Sequence, residues 1–156
     1  MKTVMVIPGA YAQIPLIKNL KLQGYKVVCV NPYENSPAFE YADYSEQFDI
    51  MDVENCISVA KKYYVCAVLS DECDIAMPSV AAISEALSLP SIGSNLARLY
   101  TNKEMMREKR KKNGFPYTAY KQCNTLEEAK EFFSSLGSHK MIIKPRRARV
   151  INPLII

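Results

Sequence analysis

Apolar positions in the first part of the chain keep two alternating rhythms. Thr3–Ile7, Lys26–Val30 and Val65–Leu69 are short, β-branched and almost free of charge, the pattern of strands buried on both faces. Helical spacing follows each of them in turn. Gln13–Gln23 gathers Ile14, Leu16, Ile17 and Leu20 on one side, with Pro15 where a first turn tolerates it and Gly24 as a stop. Val53–Tyr63 and the Ala-rich Ile75–Leu87, interrupted early by Pro78, read as two more helices. Asn31-Pro32 ends the second run, and Asn35–Tyr44, rich in Pro, Asn and aromatic residues, reads as an ordered loop. Leu89–Gly93 reads as a fourth, very short strand with its turn. This alternation predicts an α/β fold with a doubly wound parallel sheet, in which the first three runs are adjacent and parallel.

The character changes after Gly93, so a domain boundary is expected near Ser94, giving a complete α/β domain over 1–94 and the start of a second over 95–156. Asn95–Asn113 is predicted as one helix, highly charged towards its end, and Tyr117–Lys121 as a short polar strand. Thr125 and Glu128 have capping-box spacing at the start of a helix running to Leu136 and stopping at Gly137. Met141–Pro145 is an apolar strand that carries Lys144 at its end.

Bulk properties narrow the function classes. A chain of 156 residues holds one ordinary domain, or one domain and part of another. No apolar run approaches the roughly 20 residues of a membrane span, and Pro8-Gly9 closes the first run before it could act as a signal. A cytoplasmic protein without a membrane partner is expected. Five cysteines form no C-x-x-C pair and read as reduced structural thiols, and His139 is the lone histidine, which removes most His-based metal and triad chemistry. The net charge of +4 owes most to Arg146, Arg147 and Arg149 in an acid-free tail, and the rest is close to neutral. The cluster Arg107 with Lys109–Lys112 sits at a helix end, where cations favour the dipole. No nucleic-acid partner is expected.

The turn after the first strand is where a dinucleotide enzyme places G-x-G-x-x-G, but counting from Gly9 the next two glycines fall on Tyr11 and Ile14. Asn31 stands where an acid would grip a ribose, and there is no P-loop. Asp71, in Ser70-Asp71-Glu72 at the carboxyl end of the third run, is a candidate substrate contact; capping the next helix or simple solvation are the alternatives. Tyr11 and Gln13 flank the equivalent loop of the first strand.

Several features recur in a fixed order: Gly9-Ala10 with Gln13–Ile17, Tyr41-Ala42-Asp43, Asp49–Asp52, Ser70-Asp71, Leu87–Gly93, Thr101-Asn102-Lys103 with Met106-Arg107, Gly114-Phe115-Pro116, and Met141–Pro145. Together they resemble the N-terminal, pre-ATP-grasp part of ATP-grasp ligases. They are most similar to the large-subunit type of carbamoyl-phosphate synthetase, while biotin carboxylase and the purine-pathway ligases share the frame. The resemblance implies that Lys103 and Lys144 contact ATP phosphates; without it, both read as ordinary solvent-reaching lysines. It implies ATP and Mg2+ as cofactors, a small-molecule carboxylate activated as an acyl phosphate, and attack by an amine or similar nucleophile. The family's strand after the second lysine leads into a Gly- and Ser-rich loop, whereas residues 146–156 contain no glycine, and no later metal-holding carboxylates follow. The expectation is therefore an N-terminal fragment that binds no cofactor tightly and is inactive alone, acting as a homodimer or with a separate chain carrying the remaining lobe. Its apolar end, Leu154-Ile155-Ile156, is expected to find no strand to pair with. A non-catalytic small-ligand-binding or assembly module, and one chain of a split ligase, are the alternatives.

Overall fold

The computed structural model describes residues 1–137 and 140–143, and the backbone of 154–155. It has two compact units, Met1–Thr101 and Asn102–Ile156.

In the first unit β1 (Thr3–Val6), β2 (Lys26–Asn31), β3 (Tyr44–Gln47) and β4 (Val65–Leu69) form one parallel sheet in the order β3-β2-β1-β4. The three runs expected to be adjacent are so, with β1 in the middle: Met5 faces Val28 on one side and Val68 on the other. Helices α1 (Ile14–Leu22), α2 (Val53–Lys62) and α3 (Met77–Ala86) complete the layers. Successive strand side chains point to opposite faces. Met5, Ile7, Val28 and Val30 therefore meet Cys56, Val59 and Ala60 of α2 and Val80 and Ile83 of α3, while Val4, Val6, Val27 and Cys29 pack under Ile17 and Leu20 of α1. A strand covered on both sides has no solvent face to mark with polar residues, which is why β1 and β2 read as continuous apolar runs. Each fully buried Val or Ile contributes about 1.5–3 kcal/mol.

Two strand assignments change in this unit. The fourth strand is Tyr44–Gln47, not Leu89–Gly93. β3 is an edge strand whose residues alternate half-buried and exposed, and side chains rather than apolar content hold it. The Tyr44 and Tyr63 rings stack with centroids 4.6 Å apart. Lys62 Nζ and the Tyr63 hydroxyl both donate to Glu46 Oε1, at 2.8 and 2.7 Å. The bond from Lys62 holds the Glu46 carboxyl below the ordinary glutamate range, and the charged pair guards the edge against further pairing. Leu89, by contrast, donates its N–H to Ser84 O at 2.8 Å, closing the end of α3 instead of joining a ladder.

The single helix expected over 95–113 is two, α4 (Ser94–Thr101) and α5 (Lys103–Lys112). Asn102 separates them: it is extended (φ −107, ψ 108), and its side chain accepts from Glu104 N and Met105 N. Asparagine competes with the helix through such bonds and restarts it as a cap. The first unit runs through α4 to Thr101, because Glu85 of α3 accepts the Ser94 N–H at 2.8 Å and the Ser94 hydroxyl as well.

The second unit contains α5, α6 (Leu126–Ser135) and a small antiparallel pair, β5 (Ile142–Ile143) and β6 (Leu154–Ile155). Thr125 caps α6, accepting from Glu128 N at 3.2 Å, while the Glu128 carboxylate accepts from Asn124 N at 2.7 Å instead of from Thr125 N. Tyr117–Lys121 forms no strand. It is tied to α5 by side chains, with the Tyr120 hydroxyl donating to Glu108 at 2.8 Å. The expectation that the tail finds no strand is also corrected, since Ile142 pairs with Ile155 and Ile143 with Leu154. β5 offers an open edge, and the apolar Leu154-Ile155 step is suited to fill it.

Candidate functional site

Chain order reverses at β1: β2 and β3 extend to one side of it and β4 lies on the other. Ligands of open α/β sheets bind at such a switch point, outside the carboxyl ends of the strands. Here the loops after β1 and β4 meet through one side chain. Gln13 ends a 3-10 turn (Tyr11–Gln13) and is only 1% exposed. Its Oε1 accepts from Ala10 N at 3.2 Å, and its Nε2 donates to the carbonyl of Asp71. Tyr11, at the start of the same turn, is exposed.

Asp71, the expected substrate contact, stands exposed at the rim. It does not cap the following helix, whose 3-10 entry (Asp74–Ala76) has Cys73 at its cap position and whose own start has no side-chain cap. The segments leaving the four strands, up to the next helix or 3-10 turn, carry Glu34, Asp49, Asp52, Asp71 and Glu72 and no lysine or arginine. Asp49 and Asp52 are occupied with the backbone of Met51 and Asn55. This end of the sheet is thus acidic and disfavours an anion bound to it unaided.

Gly9 and Asn31 are explained by packing. A Cβ on Gly9 would stand 3.0 Å from Cys29 Sγ, 3.1 Å from Asn31 Cβ and 3.1 Å from Phe39 Cε1. The buried Asn31 donates from Nδ2 to Ser36 Oγ at 2.6 Å, and Ser36 in turn donates to the Tyr33 carbonyl. Where a dinucleotide enzyme grips ribose, this chain secures its own loop. Asp43 is structural too: its Oδ2 accepts from Val27 N at 2.9 Å, and Lys21 lies 3.3 Å from Oδ1.

A surface groove of about 510 Å³ is lined by Lys18, Lys21, Leu22, Glu40 and Tyr41, away from the switch point. Its cations are already engaged, Lys18 lying 4.4 Å from the Tyr41 ring centre and Lys21 pairing with Asp43. The cysteines offer no nucleophile of note. All five are free, and burial pushes the thiols of Cys29 and Cys56 up to about 12 and about 11.

In the second unit Lys103 is the first residue of α5, directly after its Asn102 cap, and is half-buried. Its ammonium has no hydrogen bond or ion pair among the described residues, and it lies at the positive end of the helix dipole. Three of the five basic residues beyond it are engaged with the segment that follows. Arg107 stacks on Tyr120 at 5.2 Å, Lys111 lies over Tyr117 at 5.7 Å, and Arg110 donates to the Pro116 carbonyl at 2.6 Å. Lys144 lies outside the described residues.

Sequence reasoning named Gln13 only as a flank of the loop. One signal was available: residues 13, 17 and 20 share the buried side of α1, so a glutamine stands in an apolar stripe.

No family model matches the chain, and no curated protein matches it. Solved structures do. An N5-carboxyaminoimidazole ribonucleotide synthetase in complex with ADP superposes with a TM-score of 0.82 at 18% identity, covering 99% of this chain and 41% of that one. The corresponding synthetase from Thermotoga maritima gives 0.76 at 22%, covering 100% and 41%. An L-amino acid ligase from Bacillus licheniformis gives 0.75 at 19%, covering 100% and 39%. At these identities the likeness establishes the fold alone, one shared with part of each of these synthetases and ligases. The chain spans about two-fifths of the length of the structures it matches.

Proposed function

We propose that this chain is the N-terminal part of an ATP-grasp ligase, of a branch resembling the carbamoyl-phosphate synthetase large subunit. Such an enzyme uses Mg-ATP to activate a small-molecule carboxylate as an acyl phosphate, which an amine or similar nucleophile then attacks. The observation that carries this reading is the superposition of the full chain on nucleotide-using ligases, with Lys103 at the first turn of α5. The assignment to that branch rests on the ordered sequence motifs alone.

The residues present fit a phosphate. Lys103 offers an ammonium free of partners among the described residues, and a compact, mobile cation is a suitable counter-charge for phosphoryl oxygens. Asn102 already occupies two of the backbone N–H groups of α5, so the side chain of Lys103 and not the helix end supplies the attraction. Lys144 is the second phosphate contact. At the switch point Gly9, Gln13 and Asp71 shape the crevice, and its acidic rim favours the amine partner over the carboxylate. In the intact enzyme bound ATP supplies the phosphoryl group and Mg2+ the charge neutralisation. The chain acts with a homodimer partner or a second chain bearing the remaining lobe, and in the cytoplasm.

Titration with Mg-ATP, followed by amide chemical shifts, tests the reading. The Glu104 and Met105 amides should shift with a dissociation constant near 1 mM, about 4 kcal/mol, and Lys103→Ala should abolish the shifts. Unshifted amides at the start of α5 at about ten times that concentration, or shifts indifferent to Lys103→Ala, would overturn it. Micromolar, magnesium-dependent binding would refute the expectation that the chain alone holds nucleotide weakly.

A further inference from the structure

We infer that Gln13 is a positioning residue: it latches the loop after β4 to the loop after β1 and so preforms the switch-point crevice without itself reaching a ligand. The purpose assigned to the latch rests on the reading of that crevice as a binding site; the latch itself rests on geometry. Glutamine is the side chain that offers both an acceptor and two donors at the end of a two-methylene stem. Both functions are used, Oε1 on Ala10 N and Nε2 on the Asp71 carbonyl. Because both partners are backbone groups, the tie fixes where the loop lies whatever side chains the loop carries.

Little else restrains the tip of that loop, although Cys73 at its far end packs on the core. No other hydrogen bond among the described residues reaches Asp71 or Glu72. Glu72 is held at φ +51, a left-handed conformation that a glutamate leaves readily when nothing maintains it. Gln13, for its part, is anchored. It is 1% exposed, shares the buried side of α1 with Ile17 and Leu20, and begins the helix that covers one face of the sheet. The rigid partner is thus the β1–α1 turn and the dependent one is the rim carrying Asp71.

Nitrogen-15 relaxation on the whole chain, without ligand, tests the latch through two variants. Gln13→Met keeps length and apolar stem but neither donates nor accepts. In the parent, Asp71 and Glu72 should show order parameters near 0.85; in Gln13→Met they should fall below about 0.6, with β1, α1 and β4 unchanged. Gln13→Glu keeps the acceptor and makes the donor conditional. Burial raises the pKa of the introduced carboxyl, so its protonated form can still donate to Asp71 and its ionised form cannot. Asp71 and Glu72 should then be rigid at acid pH and mobile once the group ionises, a titration of mobility that the parent lacks and that a space-filling role would not produce. Rigid Asp71 and Glu72 in Gln13→Met would overturn the latch. So would Gln13→Glu order parameters that are equal at the two ends of the titration, which keeps the test decisive if Gln13→Met fails to fold. Since no ligand enters the experiment, the latch can fail while the nucleotide reading stands, and the nucleotide titration can fail while the latch stands.

Discussion

Replacing Gly9 by alanine separates a glycine kept for packing from one kept for close approach of a ligand. The added methyl would lie 3.0 Å from Cys29 Sγ and 3.1 Å from both Asn31 Cβ and Phe39 Cε1. Carbon–carbon contacts are most favourable at about 3.5–4.0 Å, so each carbon neighbour must retreat by about 0.4 Å or more. None is free to move. Cys29 and Asn31 are buried on the interior strand β2, and Phe39 is packed against the same face. Overfilling a packed interior costs about 1–3 kcal/mol, and three simultaneous contacts place Gly9→Ala in the upper half, at about 2–3 kcal/mol. Urea unfolding followed by far-UV circular dichroism should show a lower midpoint with an unchanged m-value. Adding Cys29→Ala removes one of the three contacts, so the double variant should lose less stability than the two single losses added together. A Gly9→Ala chain within about 0.5 kcal/mol of the parent, the range of an inconsequential surface change, would refute the packing account.

Two further predictions concern the helix ends, beside the Mg-ATP titration at Lys103 set out above. Tyr64 follows α2 at φ +50 with 89% of its surface exposed; Tyr64→Gly should stabilise the chain by about 1 kcal/mol, because a left-handed conformation costs an L-residue about 1–2 kcal/mol and glycine's greater chain entropy takes back only part. Unaltered or lowered stability would count against it in the same urea assay. The Ser94 hydroxyl and then its N–H hold the Glu85 carboxyl below its ordinary 4.5. A carboxylate depressed on folding stabilises fully above its unfolded pKa, and that contribution is lost as pH falls through the folded value. The Ser94 amide shift should therefore titrate below pH 4.5 in the parent and stay flat in Glu85→Gln; a flat parent would dispose of the clamp.

The sheet was legible in the sequence where burial on both faces leaves one signature. β4 has the bounds its apolar run suggested, and β1 and β2 differ from theirs by a residue. Such runs need no knowledge of partners, because every neighbour they can have is apolar. The acid-free tail and the gap in the dinucleotide fingerprint were equally local. What failed was whatever depends on a particular partner. Tyr44–Gln47 has no apolar pattern and becomes a strand only because Tyr63 and Lys62, brought round by α2, pack on it and pair with Glu46. Leu89–Gly93 has an apolar pattern and is no strand, since its first N–H already closes α3.

The candidate site divides in the same way. The sequence by itself determined that a parallel α/β sheet is present and that Asp71 follows a strand at its carboxyl end; that Lys103 opens a helix was decided by the Asn102 cap seen in the structure. Only the tertiary structure decided that β4 crosses to the far side of β1, which creates the switch point, and that Gln13 spans it. It also decided that Gly9 and Asn31, at positions where a dinucleotide fold would use them, are committed to Phe39 and Ser36, and that Asp43 is committed to Val27. The physical reason is the range of the forces involved. Burial and backbone preference are fixed by a residue and its near neighbours, whereas a hydrogen bond or a steric contact needs a second group whose arrival depends on how distant segments are brought together.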